Sequence, residues 1–384
     1  MIHIKGITLT GRLVTTPSLY AAPSMPDRIK FTRPLLIGAV ARAAATEKVN
    51  VGVLQSVQQA MTHLLFPFID DSVAHFAFSA DIEQMTDNTR TAISGWVGAG
   101  ACHLYMTLLG YVFRSTGRGL SPTGKVFDIA YGGGPLGLTQ IVGAEAKGSF
   151  QRQADTALIM RVTHAGYDDQ VKPHIDHNLN GYDVVHGYAI GTASNLAPQS
   201  ACMMHVTQTR RPPTSTLPNP SVPSAAGSAG KYLALQNYRS VFALMGAGGI
   251  LGAIDAALQN GLSPLIPLGP QVFQVMEWRN REYLVFAAQA SQRAAVLTAQ
   301  PQFGIARQSG EAFLMGLNEL LHMKAPPFRF PGRIPQVDFN LDREIQFNDG
   351  GAQFPDGLAV LGQVPPRLRK GRLVWTLEGG LRPD

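Results

Sequence analysis

The chain has few cysteines and no long apolar run, and each of these two shortages excludes a class of protein. It also has few charged residues. Cys102 and Cys202 are the only two cysteines among 384 residues, so neither a disulfide framework nor a thiolate zinc site is available. No segment reaches the ~18 uninterrupted apolar residues of a membrane helix, and Met1 to Lys5 contain no apolar signal core. We therefore expect a cytoplasmic protein that is neither secreted nor inserted into a membrane.

Several catalytic motifs are also missing. The sequence contains no G-x-S-x-G elbow, no P-loop lysine motif, no H-E-x-x-H and no Cys-x-x-Cys pair. These absences weigh against the large hydrolase, nucleotide-triphosphatase, metalloprotease and thiol-redox classes. We expect a binding or assembly protein that is not an enzyme and holds no cofactor and no metal.

Small and apolar residues are abundant in the chain. Hydrophobic residues make up 45% of the chain and charged residues 15%, so the surface carries many small neutral side chains, which suits self-association. The 40 glycines and 26 prolines argue against a helical bundle and favour a fold that contains strands. A formal net charge of +6 favours contact with phosphates or acidic lipids.

The first half of the chain predicts strands and helices around one long loop. Alternating residues open the chain as a strand, and residues 15–33, rich in proline, predict a long loop insertion. Pro34 can open a buried helix over residues 35–45, with Arg42 as its exception, and a second helix is predicted over residues 51–65. An apolar stretch over residues 96–114 predicts a helix in its second half.

The second half begins with a segment of different composition. Residues 210–230 are rich in proline and serine and predict a flexible linker or thumb segment. Residues 231–258 predict helix, residues 272–276 and 283–288 predict strands, and Ser309 is expected to cap a helix over residues 310–323. We expect residues 1–384 to form a single domain with insertions.

Two motifs superficially suggest chemistry. The segment GAGGILG over residues 246–252 resembles a dinucleotide-binding turn, but Leu251 stands at the third glycine position, so close helix packing is favoured. A short polar region could in principle hold zinc or iron, but its spacing matches no ligand pattern, and surface or turn histidines are favoured. The side chains concerned are His164, His174, Asp176, His177 and His186.

Three sequence features together resemble a known family. They are the opening strand IHIKGITLTGRLVT, the segment RPLLIGAVARAAA that follows the loop, and the YGGGP turn after a predicted strand over residues 127–131. This order resembles the backbone subunits of CRISPR effector complexes, the RAMP superfamily, and YGGGP is similar to a Phe-Gly-Gly-Gly-Pro turn of its type IV branch. The resemblance covers about half of the chain.

The resemblance implies both a fold and a function. The fold would be α+β, a modified ferredoxin-like, RRM-like palm of antiparallel strands and helices with finger and thumb insertions. Copies would oligomerise along crRNA in a ribonucleoprotein of antiviral defence and leave bases free to pair with target DNA or RNA. The implied partners are crRNA, the target, other copies of the chain and other effector subunits, with no membrane.

Carried onto this chain, the resemblance and the basic residues predict a set of RNA contacts. Ala39 and Ala41 stand where the family's helix carries basic residues, which weakens direct binding by that helix. Side chains expected at phosphates, and glycines expected to let the backbone approach RNA, are Arg28, Lys30, Arg33, Arg42, Arg210, Arg211, Gly132, Gly133 and Gly134. Further small basic groups are Arg114 with Arg118, Arg279 with Arg281, and Arg367, Arg369, Lys370 and Arg372.

Three alternatives remain open. A self-assembling capsid-like or tube-like protein without a nucleic-acid site fits the composition equally well. A nucleotide-dependent enzyme would use the Gly246 region and would need a parallel sheet. In some related subunits an aspartate after the first strand cuts target RNA; Asp27 lies in such a loop, where a turn residue is the simpler interpretation.

Overall fold

The structure of the chain is a computed structural model. It describes residues 5–17, 27–44, 53, 65, 67–70, 73–121, 124–133, 136, 139–151, 155–195, 203–210, 226–258, 269–286, 302–322, 334–347, 349–361 and 367–384. Contacts divide the chain into two compact units. Unit 1 comprises Met1–Ala44 and Ala60–Ala226, and unit 2 comprises Ala45–Gln59 and Gly227–Asp384. Grouping by contacts does not measure independent folding, so the single domain stays a prediction.

Unit 1 is built on an eight-stranded mixed sheet. Its strands are β1 (Lys5–Pro17), β2 (Arg28–Phe31), β3 (Val112–Thr116), β4 (Ile129–Gly132), β5 (Gln140–Gln151), β6 (Asn178–Leu179), β7 (Tyr182–Asn195) and β8 (Met203–Arg210). Their order is β2-β1-β8-β7-β5-β4-β3, and β6 pairs with β7. β1 is parallel to β8 and β5 to β7, whereas the resemblance implied antiparallel strands. The α+β class is confirmed.

Two helices, α1 (Arg33–Ala44) and α2 (Asp87–Leu108), pack against each other and α2 packs on the sheet. Close approach is possible because small residues line the contact. A Cβ atom added at Gly98 of α2 would lie 2.8 Å from the Cα of Gly148 on β5, and one at Gly100 would lie 2.6 Å from Val40 on α1. Gly98 and Gly100 are therefore packing residues.

A further helix, α4 (Thr156–Gly166), covers the opposite face of the sheet. A Cβ atom at Gly191 on β7 would lie 1.9 Å from Thr163 of this helix, so Gly191 faces α4. The next residue of β7, Thr192, pairs with Gly148 of β5, which faces α2. Successive residues of a strand point to opposite faces, so α2 and α4 lie on different sides. The one-turn helix α3 (Gly117–Leu120) follows β3, and a π-helical turn (Tyr167–Val171) continues α4.

Unit 2 contains a seven-stranded sheet in which all neighbouring strands pair antiparallel. Its strands, in the order β12-β13-β11-β10-β9-β14-β15, are β9 (Gln271–Trp278), β10 (Arg281–Phe286), β11 (Gln302–Ala306), β12 (Ala352–Gln353), β13 (Leu358–Leu361), β14 (Arg367–Thr376) and β15 (Gly380–Pro383). The helices are α5 (Ala226–Leu244), α6 (Gly248–Leu258), α7 (Arg307–His322) and α8 (Leu341–Gln346). Phe313 of α7 stacks on Tyr238 of α5 at 4.6 Å between ring centroids, which joins the two helices in one core.

Element types are predicted better than element boundaries. The buried helix over residues 35–45 is confirmed as α1, which begins two residues earlier, and residues 231–258 form two helices rather than one. Ser309 is not a cap, because α7 begins at Arg307 and the buried Ser309 hydroxyl donates to the carbonyl of Pro335 at 2.6 Å. Most of the helix predicted over residues 51–65 lies outside the described residues.

The predicted loop insertion over residues 15–33 is shorter in the structure. β1 extends to Pro17, and Arg28–Phe31 form β2, which returns antiparallel to the start of β1. An edge strand with one exposed face has only two apolar residues in four, too few for its alternation to stand out in sequence. Within the described residues, no helix combines the length and apolarity needed to cross a bilayer.

Candidate nucleic-acid interface

The edge strand β2 presents two of the predicted RNA contacts to solvent. Arg28 and Lys30 are exposed, while Ile29 and Phe31 between and after them are fully buried. Because side chains alternate along a strand, both cations lie on the same outer face of β2, opposite Thr8 and Gly6 of β1 in the register. The outer face of β2 is therefore a positively charged surface at the edge of the sheet.

Arg33, the first residue of α1, lies two residues after the end of β2. It is half-buried, and burial lowers the pKa of its guanidinium. Lys5 lies nearby but is 1% exposed, and its Nζ donates to the carbonyls of Asp70 and, at 2.6 Å, Val73. Burial lowers the pKa of Lys5 as well, although the carboxylate of Asp70 opposes this. Arg33 keeps part of its side chain accessible to solvent, whereas the Lys5 ammonium donates to two backbone carbonyls.

Arg42 is not at the surface. Its side chain is 0% exposed, and its guanidinium carbon lies 4.6 Å from the centroid of the Phe113 ring. The prediction that Arg42 contacts a phosphate is therefore wrong, because no solvent-accessible atom remains to meet one. An arginine on an otherwise apolar helix is here a cation–π partner in the core.

Two glycines of the glycine turn have different roles: one adopts a positive φ, and the other leaves space for a neighbouring side chain. Gly133 has a φ of +81°, in the region that glycine adopts without strain, and its carbonyl accepts from the N–H of Leu136 at 3.2 Å. A Cβ atom at Gly132 would lie 2.8 Å from Nε of Arg114, so this glycine leaves space for that side chain. Gly134 lies outside the described residues.

Arg114 and Arg118, a further basic group of the sequence, are candidates for the same interface. Arg114 is the extra residue of a β-bulge between the pairs of Phe113 and Ser115 on β3, which redirects its side chain across Gly132. Arg118 is exposed on α3. The contact of Arg114 with Gly132 follows from the pairing of β3 with β4, which single-sequence patterns do not show. The edge strands of the unit 1 sheet, β2 and β3, thus each carry basic residues.

Contacts of Arg210 and Arg211 with RNA stay predictions. β8 ends at Arg210, whose side chain is not described, and Arg211 lies outside the described residues. Asp27 is exposed, and its carbonyl accepts from the N–H of Leu9 at 2.8 Å, which ties it to β1 as a turn residue before β2. In unit 2, Arg279 is also withdrawn from solvent.

Arg279 is enclosed by aromatic rings and carboxylates. Its guanidinium carbon lies 3.9 Å from the ring centroid of Trp278 and 3.8 Å from that of Phe347. It donates to Glu344 at 2.5 Å and to Asp349 at 2.7 Å, with 8% of the side chain exposed. Burial raises the pKa of Glu344 in spite of this arginine. Arg279 therefore anchors α8 to the β9–β10 hairpin rather than facing an RNA.

The two motifs that suggested chemistry have structural roles. Gly246 lies between helices α5 and α6, and the other glycines of residues 246–252 lie in the first turns of α6. The strand that precedes a dinucleotide-binding turn is therefore replaced by a helix. His164 contacts Asp168 at 3.3 Å, His174 contacts the carbonyl of Lys125 at 2.9 Å, and His186 is buried on β7. No group of three metal-ligating side chains occurs among the described residues.

Comparisons of the chain with protein-family models, with curated proteins and with solved structures found no match.

Proposed function

We propose that the chain is a non-catalytic, guide-RNA-binding backbone subunit of a cytoplasmic CRISPR ribonucleoprotein, similar to RAMP proteins of the type IV branch. The observation that carries the proposal is the outer face of β2, where Arg28 and Lys30 are exposed side by side next to the half-buried Arg33. Such spacing suits successive phosphates of one strand. The net charge of +6 agrees with a polyanionic partner.

The fold proposal that accompanies this function is a modified ferredoxin-like palm in unit 1. The crossover from β5 through α4 to β7 supports it. A ferredoxin-like fold carries its helices on one face of the sheet, whereas unit 1 has α2 and α4 on opposite faces. In the plain ferredoxin-like fold this crossover is split by a third strand, whereas β5 and β7 are direct neighbours. The proposal therefore requires a rearranged version, with residues 210–230 as the thumb segment.

The proposed partners follow from the same surface. Guide crRNA would lie along the β2 face, target DNA or RNA would bind by base pairing to that guide, and other copies and effector subunits would flank it. The basic residues at β3 and α3, Arg114 and Arg118, supply a second contact for an RNA shared between neighbouring copies. The proposed subunit cuts neither strand.

The test compares RNA affinity of the wild-type chain with that of an Arg28→Gln/Lys30→Gln variant. The matched control is Arg161→Gln/Arg382→Gln, which removes two exposed cations elsewhere and lowers the net charge of +6 equally. Each lost phosphate contact should lower the slope of log affinity against log salt by ~0.7 on single strands. We expect a reduction of about 1.4 for the β2 variant only.

Equal salt dependence in both double variants would show that affinity follows net charge rather than the β2 face, and would contradict the proposal. If the wild-type chain binds no RNA and still assembles, the capsid-like or tube-like interpretation replaces it. Circular dichroism of each variant checks that the fold is kept.

A further inference from the structure

Unit 1 contains a cleft that is separate from the β2 face. It has a volume of about 390 Å³, within the ~300–1,000 Å³ of small-molecule sites. The first two turns of α2 form one wall and the end of β5 forms the other. The lining side chains and glycine are Asp87, Arg90, Thr91, Ser94, Gly148, Ser149 and Phe150. A Cβ atom at Gly148 would lie 2.0 Å from the carbonyl oxygen of Ser94, so helix and strand meet there at backbone contact.

The guanidinium of Arg90 is held in place at the cleft. Its carbon lies 5.6 Å from the ring centroid of Phe150, and its Nη1 donates to the carbonyl of Glu83 at 3.1 Å. Phe150 in turn contacts Phe78, with 6.4 Å between ring centroids. Only 17% of the arginine side chain is exposed. The cleft therefore offers a positioned cation beside a half-buried aromatic ring.

The carboxylate of Asp87 is the present partner of Arg90. Its side chain is 90% exposed, so the ion pair is solvated on one side and contributes little to stability. A phosphate has a higher charge and can replace this carboxylate on the same guanidinium. Asp87 would then act as a competitor of the incoming anion.

The lining chemistry identifies the class of ligand. Among the described residues that line the cleft, Phe150 is the only large apolar side chain, which makes an apolar ligand a poor match. The other lining side chains are the Arg90 cation, its partner carboxylate Asp87, and the hydroxyls of Thr91, Ser94 and Ser149. We propose that the cleft binds one nucleotide, with its base against Phe150 and its phosphate at Arg90. As a contact of single-stranded RNA this site rests on the proposed function, whereas as a site for a free nucleotide it does not.

The test measures binding of a labelled single-stranded oligoadenylate, the same sequence as a duplex, adenosine monophosphate and inorganic phosphate to the full chain. Phe150→Leu should weaken single-strand binding ~5- to 100-fold, because base–aromatic stacking is lost, and should leave duplex binding unchanged. Arg90→Gln should weaken binding of the oligonucleotide and of the mononucleotide about 10-fold. Arg161→Gln on α4 is the matched control and should change neither.

The Asp87→Asn variant should change nucleotide affinity in the opposite direction from the Arg90 and Phe150 variants. Removing the competing carboxylate should strengthen nucleotide binding several-fold, an effect that a folding defect does not produce. Unchanged affinity in the Arg90, Phe150 and Asp87 variants, together with loss in the Arg28/Lys30 variant, would overturn the cleft proposal and leave the proposed function standing.

The same experiment distinguishes a free mononucleotide from a nucleotide within single-stranded RNA as the ligand of the cleft. Binding of adenosine monophosphate that responds to the cleft variants, without RNA binding, supports the cleft and contradicts the guide-RNA function. Cleft-dependent binding of the oligonucleotide that is tighter than that of the mononucleotide supports both. Failure of all four probes to bind the wild-type chain overturns both.

Discussion

Glu145 places a carboxyl group in the interior of unit 1, between β5 and the π-helical turn. It is 1% exposed and accepts hydrogen bonds from the N–H of Asp128 at 3.1 Å, from Nε2 of Gln170 at 2.6 Å and from Nζ of Lys147. Burial, and then the nearby carboxylate of Asp128, raise its pKa from 4.5 to about 7, although Lys147 opposes this. Near neutral pH the group is therefore only partly ionised.

This raised pKa predicts a pH dependence of stability. The folded state binds a proton more tightly than the unfolded state, so the contribution of Glu145 is complete below pH 4.5 and is lost as the pH rises through about 7. The difference corresponds to roughly 3 kcal/mol. Glu145→Gln should remove that decline, and urea unfolding of both chains between these pH values measures it.

Buried histidines make the comparison with the variant necessary. Burial lowers the pKa of His103 and of His186 to about 3, so their contributions are complete above 6.5 and are lost as the pH falls. They oppose Glu145 in the wild-type profile but cancel in the difference between the two chains. A difference that stays constant with pH would show that Glu145 titrates normally.

At the residue scale, exposure and backbone conformation were predicted in part, and RNA binding by these residues stays a prediction. Arg28 and Lys30 are exposed, as a basic loop beside a strand indicates, and Gly133 adopts the left-handed backbone that a glycine run indicates. Arg42 was misassigned because its cation–π partner, Phe113, comes from a strand far along the chain. Sequence patterns carry no information on such contacts.

At the scale of elements, α2 shows how two glycines of one helix differ. Gly95 is exposed and an added Cβ would meet nothing within 4 Å, whereas one at Gly98 would lie 2.8 Å from backbone atoms of Gly148. Both are equivalent in sequence, since each lies inside an Ala/Gly-rich helix. Packing alone separates them.

Matched substitutions test this packing. Gly95→Ala should raise the free energy of unfolding by up to ~1 kcal/mol, because alanine is the better helix former. Gly98→Ala gains the same helix propensity but forces α2 away from β5, so we expect a net loss of about 1–3 kcal/mol. Urea denaturation of both variants measures the change in the free energy of unfolding for each. Stabilisation by both substitutions would contradict the close contact between α2 and β5.

Elements with a strong local signal were predicted, and those whose definition depends on distant pairing were not. α1 follows from Pro34 and an apolar run, and the β9–β10 hairpin follows from two apolar strands around a polar turn. The start of α2 at Asp87, with Thr86 as its N-cap, was missed because its first two turns are polar. The bulge in β3 and the parallel β1/β8 pair are likewise set by partners distant in sequence.

At the scale of the whole molecule, composition constrained the class of fold but not its topology. The glycine and proline content correctly favoured a fold with strands over a helical bundle, since the structure contains two sheets. Strand order follows from long-range pairings, such as β1 with β8, that separate residues by most of unit 1. A low charge fraction of 15% leaves few repulsive contacts between copies, which bears directly on assembly.

The proposed function makes assembly depend on RNA. A chain with a net charge of +6 repels its own copies weakly, and on this proposal a shared polyanion would remove that repulsion and hold neighbours through the basic residues of β2 and β3. Light scattering after size exclusion should show a large particle that nuclease converts to a species near 41.2 kDa. The Arg28→Gln/Lys30→Gln variant should form smaller particles than its matched control. A particle whose mass is unaffected by nuclease and by that variant would instead identify a protein that assembles through its own surfaces.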